Sequence, residues 1–116
     1  MVFGGRLGII DAMSTFHDDK LWQEAYTAVL DLLELDDSNM VVKRAQRLGL
    51  KTLTTIADGV SRRDRRLHDD ILRDAMGLVA GVRSMLSVAW AQDALADDVF
   101  AKLDGAYEAL SNKLPR

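Results

Sequence analysis

The sequence predicts an all-α protein, an antiparallel up-down-up-down four-helix bundle preceded by a short N-terminal arm. Three observations carry that expectation. Apolar residues recur with a 3.6-residue period in four separate segments. The only proline is Pro115, so no residue before the last few is barred from a helix. No stretch alternates apolar and polar residues for long enough to form a strand of consequence. With 116 residues, 48% hydrophobic and 28% charged, the chain suits one folded domain rather than a disordered tail.

Residues 1–15 lie outside the periodic pattern. Three glycines fall among the first eight positions, next to the apolar pair Ile9-Ile10, and the segment reads as an arm that orders against a partner. The bundle occupies 16–116. Its first helix is expected over about 19–35, with Leu21, Trp22, Ala25, Val29, Leu32 and Leu33 on one stripe and Asp18 or Asp19 as N-cap. Asp36-Asp37-Ser38-Asn39 ends it with four residues that favour turns and caps. The second runs over about 40–60, capped by Ser38 or Asn39, with Val41, Val42, Ala45, Leu48, Leu53, Ile56 and Val60 facing inward and Gly59 marking its end. The third, about 64–91, is the longest. Its seam is Leu67, Ile71, Ala75, Leu78, Val82, Met85 and Ala89, widened by Leu72, Val79, Leu86 and Trp90. The fourth runs over about 97–114, burying Val99, Phe100, Leu103, Ala106, Tyr107, Leu110 and Leu114. Short connections make successive helices antiparallel neighbours.

Composition narrows the chemistry. The absence of cysteine excludes a disulfide scaffold, a thiolate metal site and a thiol nucleophile. A carboxylate di-iron site needs Glu-x-x-His on two helices and further glutamates on the others. Here there are three glutamates, and neither His17 nor His68 has an acid three residues before it. No phosphate-binding loop, HExxH, nucleophile elbow or dinucleotide fingerprint is present. His17 belongs to the turn leading into the first helix, and His68 reads as a solvated side chain. The doublets Asp18-Asp19, Asp36-Asp37 and Asp97-Asp98 fall at helix ends, where caps and the helix dipole account for acids at helix starts. Neither an enzyme nor a cofactor or metal is expected. No basic segment leads an apolar export signal, and the longest apolar stretch, Leu78–Ala91, is broken by Arg83 and falls short of a span, so the expected location is the cytoplasm.

The net charge of −3 hides an asymmetry: residues 43–83 carry +5 and the remainder −8. Lys43, Arg47 and Lys51 are spaced four apart, with Arg44 alongside, which makes a ribbon up one helix face. Arg62, Arg63, Arg65 and Arg66 cluster at the turn into the third helix. Cations on a face and a turn suit binding to a phosphate backbone without base reading, although none of the seven aromatics lies among them. Arginines at a helix N-terminus also call for a compensating anion or acidic patch. Gly77 and Gly81, four apart in mid-helix, suggest close approach of another backbone, either within the bundle or from another subunit.

The order of features resembles a known family. Leu21-Trp22-Gln23-Glu24-Ala25-Tyr26, then Thr55-Ile56-Ala57-Asp58-Gly59 before Arg62-Arg63, then Ala75-Met76-Gly77-Leu78, are similar to motifs of the four-helix-bundle proteins encoded in intervening sequences of bacterial large-subunit ribosomal RNA genes. Relatives of that family include the accessory variability determinant of diversity-generating retroelements. Thr55 and Leu78 stand where the family usually has Asn and Ser. The resemblance spans about residues 16–114 and implies a homopentameric ring without catalysis. For the retroelement members it implies a basic surface that engages a reverse transcriptase and nucleic acid. The expectations are therefore a non-enzymatic accessory that binds RNA or DNA or a partner through the eight cations named above, or a self-assembling interaction module whose basic face meets acidic residues of its neighbours.

Overall fold

The computed structural model describes residues 15–116, and the expected arm lies outside them except for Thr15. A 3₁₀ turn, Phe16–Asp18, leads into four helices: α1 Lys20–Leu33, α2 Met40–Val60, α3 Arg65–Ala91 and α4 Asp97–Ser111. No strand is present among the described residues. α2 and α3 share the most extensive interface; α1 packs on α2, α4 packs on α3, and a lighter α1–α4 contact closes the square. This is the four-helix bundle that periodicity predicts.

The helix starts are set by side chains that take up otherwise unpaired N–H groups. Asp19 accepts from Trp22 N at 3.1 Å, Asn39 from Val41 N and Val42 N at 2.8 and 3.1 Å, and Asp64 from Leu67 N at 3.0 Å. α4 lacks a side-chain cap and instead carries Asp97 and Asp98 in its first turn, against the positive end of the helix dipole. At the end of α3 the chain reverses through Asp93, whose φ of 59° lies in the left-handed region. Ala94 N then reaches Ala89 O at 2.9 Å and Asp93 N reaches Trp90 O at 3.0 Å, satisfying two of the terminal carbonyls. Gln46 performs the same service for another helix. Its buried amide donates to Leu32 O and Leu35 O at 3.2 and 3.0 Å, sealing the end of α1 from α2.

The enclosed faces take in part of each expected stripe: Val42, Ala45 and Ile56 of α2 and all of Leu72, Ala75, Val79, Val82, Leu86 and Ala89 of α3 are buried as expected. On α2 the fully buried positions are Val42, Ala45, Gln46, Gly49, Thr52, Ile56 and Gly59, while Val41, Leu48, Leu53 and Val60 are only half-buried. On α3 the seam is Leu72, Ala75, Val79, Val82, Leu86 and Ala89; Leu67 and Trp90 stay exposed. Leu33 is also exposed, and α4 stops at Ser111, with Leu114 buried beyond it. Gly59 does not end α2. It lies within the last helical turn, where an added Cβ would come 2.7 Å from Leu72 Cδ2, so its role is close approach to α3. Gly49 is about as tight, facing Leu32 and Val29 of α1 and the hydroxyl of Tyr107 on α4.

Candidate nucleic-acid interface

The two basic groups have different fates in the fold. Lys43, Arg44, Arg47 and Lys51 all lie on the exposed side of α2. None of them takes part in an ion pair or side-chain hydrogen bond among the described residues. The reason is local: α2 carries no acidic residue before Asp58, so no carboxylate sits one turn away from these cations. From Lys43 to Lys51 the ribbon spans ~12 Å at 1.5 Å rise per residue.

The arginine turn is partly neutralised by its own chain. Arg62 pairs with Asp58 at 2.8 Å, Arg65 lies 3.7 Å from Asp69, and Asp64 caps α3 between them. The acidic compensation expected for arginines at a helix start is thus supplied internally. Among the described residues Arg63 and Arg66 remain exposed and unpaired. His68 is half-buried and its Nδ1 meets Asp69 Oδ1 at 2.8 Å; this hydrogen bond, helped by nearby Arg65, holds the Asp69 carboxyl below its ordinary range. His17 stacks on Phe16 in the lead-in turn, as its position suggests.

Beside the ribbon lies a low strip of α3. Lys51 and Thr55 share a shallow groove with Gly77 and Leu78, and Gly81 sits against Leu48, where an added Cβ would be 3.2 Å from Cδ1. Gly81 therefore serves the packing of α3 on α2. Gly77 faces open space, with nothing within 4 Å of an added Cβ. The two glycines proposed as a pair do different things.

One feature of the surface is invisible to local spacing. The α1–α2 and α3–α4 connections meet at the same end of the bundle, where Leu35, Asp36, Ser38, Asn39 and Val42 line a cleft with Ala94 and Leu95. That end gathers Glu34, Asp36, Asp37, Asp93, Asp97 and Asp98, with no Lys or Arg in residues 32–42 or 84–101. The signal was present as acid doublets in alternate loops, which an up-down bundle necessarily brings together.

The remaining polar contacts are structural. Arg83 forms a two-pronged pair with Asp104 at 2.8 and 3.0 Å and lies 3.7 Å from Glu108, tying α3 to α4. The Asp104 hydrogen bonds raise the Arg83 guanidinium further above its ordinary range. Among the described residues no three His, Cys, Asp or Glu side chains come together as a metal site, and no helix is long and apolar enough to cross a membrane.

Comparison of the chain with family models, curated proteins and solved structures finds no match.

Proposed function

We propose that this chain is a non-enzymatic, cytoplasmic four-helix bundle that binds nucleic acid through the α2 face and serves as an accessory to a nucleic-acid enzyme. The observation that carries the reading is the ribbon of four exposed cations, Lys43, Arg44, Arg47 and Lys51, without acidic partners among the described residues, on a helix whose one acid, Asp58, is taken by Arg62. Unpaired surface cations at one-turn spacing attract phosphates and release their counterions on contact. Arg63 and Arg66 extend the positive surface at the α2–α3 turn, and Arg62 and Arg65 add to it where their aspartates leave a donor free. The finer assignment, service to a reverse transcriptase as a homopentamer, rests on the sequence resemblance. In a ring, weak contacts of single ribbons would add by avidity.

The test is fluorescence anisotropy with a short structured RNA across a salt series. Alanine at Lys43, Arg44, Arg47 and Lys51 together is expected to weaken binding at least ten-fold and flatten its salt dependence, with the helical circular dichroism unchanged. Unchanged affinity in that variant rejects the reading.

The acidic end of the bundle favours a second reading, in which it meets the ribbon of a neighbouring copy and no nucleic acid is bound. A solution mass that falls with salt, together with no RNA affinity, would select it.

A further inference from the structure

The outer edge of the α1–α2 seam carries an apolar strip that the four helices leave open. Gln46 fixes the register of the seam, since its amide reaches Leu32 O and Leu35 O of α1. Leu50, Leu53 and Ala57 follow Gln46 at helical spacing and so share its side of α2, away from the α3 side that Leu48 and Gly59 mark. On α1, Glu24 and Asp31 mark the edge toward α4 by pairing with Lys113 and Lys102. Leu30 and Leu33 lie on the other edge, toward α2. With Gly49 against Val29 and Leu32, antiparallel packing sets Leu30 level with Leu50 and Leu33 level with Gln46. Leu33 and Leu50 are 42% and 43% exposed, and Leu30 and Leu53 are only half-buried. Leucines gathered on one seam and flanked by charge mark a docking surface.

The chain itself supplies an occupant. Thr15 and Phe16 share a cleft with Val60 and Arg63 at the foot of the strip, so the fourteen residues before Thr15 depart from its lower end. Val2, Phe3, Leu7, Ile9, Ile10 and Met13 among them are apolar, and Arg6 and Asp11 are their only charged residues. The strip rises about 21 Å from Val60 to the level of Gln46, at 1.5 Å per residue. Fourteen residues reach at most about 50 Å, more than twice that height. Ile10, five residues from Thr15, reaches at most about 18 Å. Leu50 stands about 15 Å above Val60, within that range. The α1–α4 groove is a poorer seat, because it opens on the opposite edge of α1 and the Lys113–Glu24 and Lys102–Asp31 pairs cross its rim.

We propose that residues 1–14 fold back along the α1–α2 seam of their own chain and cover Leu30, Leu33, Leu50 and Leu53 with the apolar run Leu7, Ile9 and Ile10. The order of charges agrees with that direction. Arg63 stands at the foot of the strip and Glu34, Asp36 and Asp37 at its head. A segment climbing from Thr15 brings Asp11 past the cation first and carries Arg6 toward the acids. Lys43 and Arg47 lie on the next face of α2, so the covered strip leaves the cations open. The docking therefore stands apart from nucleic-acid binding.

The chain has no cysteine, so introduced thiols are the only ones present. Full-length protein with Ile10→Cys and Leu50→Cys is compared, by disulfide formation under mild oxidation, with protein carrying Ile10→Cys and Ala109→Cys, the latter on the α1–α4 groove. The strip pair is expected to close at least ten-fold faster than the groove pair, and to run as a monomer on a non-reducing gel. In the cysteine-free chain, Ile9→Asn with Ile10→Asn is expected to lower the thermal midpoint by several degrees, and by much less when Leu50→Asn is already present. Equal closure rates, or a faster groove pair, would overturn the docking. So would a strip disulfide that joins two chains, which would assign the strip to a neighbouring copy's segment. The substitutions at Ile9 and Ile10 lie outside the bundle, so an unchanged midpoint there overturns the docking whatever the cysteine variants do.

Discussion

The bundle is closest around α2 and most open between α1 and α4, and the two regions use small residues in opposite ways. Around α2, glycine removes the last carbon between packed side chains: Gly49 admits Leu32, Val29 and Tyr107, and Gly59 admits Leu72. Between α1 and α4, alanine leaves space. Ala28, Ala106 and Ala109 line an open groove whose rim is charged, with Lys113 paired to Glu24 and Lys102 lying 3.8 Å from Asp31. A small residue on a helix marks close approach only where a large neighbour has moved into the vacancy. The ribbon belongs to α2, the helix with the most enclosed interior face.

The largest effect should come from filling the tight region. Gly49→Ala places a Cβ within 2.8–3.1 Å of three fully enclosed neighbours, none of which has room to retreat. Overpacking of this kind costs about 1–3 kcal/mol, offset by about 1 kcal/mol of improved helix propensity. A net loss of up to about 2 kcal/mol is expected, read as a Tm lowered by as much as about 10 °C. A stabilised variant would show that α2 is not held as closely as its neighbours' positions imply.

Tyr107 sharpens the same region with the opposite sign. Its hydroxyl is fully buried, has no hydrogen-bond partner among the described residues, and faces Gly49. Burial pushes the phenol well above the ordinary tyrosine range, so it stays neutral throughout the accessible pH. Tyr107→Phe removes an unsatisfied polar atom while keeping the ring, and a gain of about 1 kcal/mol is expected by urea unfolding. Combined with Gly49→Ala it should restore part of the loss, because one of the three crowded atoms is gone, and the two changes should be non-additive. Strict additivity would mean that the hydroxyl and the new methyl do not meet.

How far these features were legible follows from the same contrast. The four helices, their antiparallel order and the caps at Asp19 and Asn39 are local, and periodicity and turn residues report them directly. The inward face of α2 is legible only at Val42, Ala45 and Ile56, because periodicity counts bulk. It selects Val41, Leu48, Leu53 and Val60, whereas the enclosed face runs through Gly49, Thr52 and Gly59, chosen for smallness by partners far along the chain. The ribbon of Lys43, Arg47 and Lys51 is legible because one-turn spacing needs only a helix. Its freedom from partners is half-legible, since the lack of acids before Asp58 can be read directly. The acidic end is the least legible, as it exists only when two loops about 60 residues apart fold to one end.

Gly77 gives the next smaller effect and separates the two uses of glycine. It lies mid-helix with nothing within 4 Å of an added Cβ, so Gly77→Ala restricts the unfolded chain and improves propensity without a clash. A gain of about 0.5–1 kcal/mol is expected, in contrast to the loss at Gly49. Were Gly77 part of a close subunit contact, the same change would lower the oligomer's solution mass, and light scattering alongside the unfolding curve reads both at once.

The smallest effect belongs to the loose seam. Lys113→Ala removes the pair with Glu24, and Lys102→Ala the longer one with Asp31, both at exposed positions where water screens the attraction. Each is expected to change stability by less than about 0.5 kcal/mol, and the difference should vanish in high salt. α1 is held mainly by its buried side, through Trp22, Val29 and Leu32, and by the Gln46 amide that closes its end. A loss above about 1.5 kcal/mol from Lys113→Ala would reverse that order, making the ion pairs rather than the α2 contacts the fastening of α1.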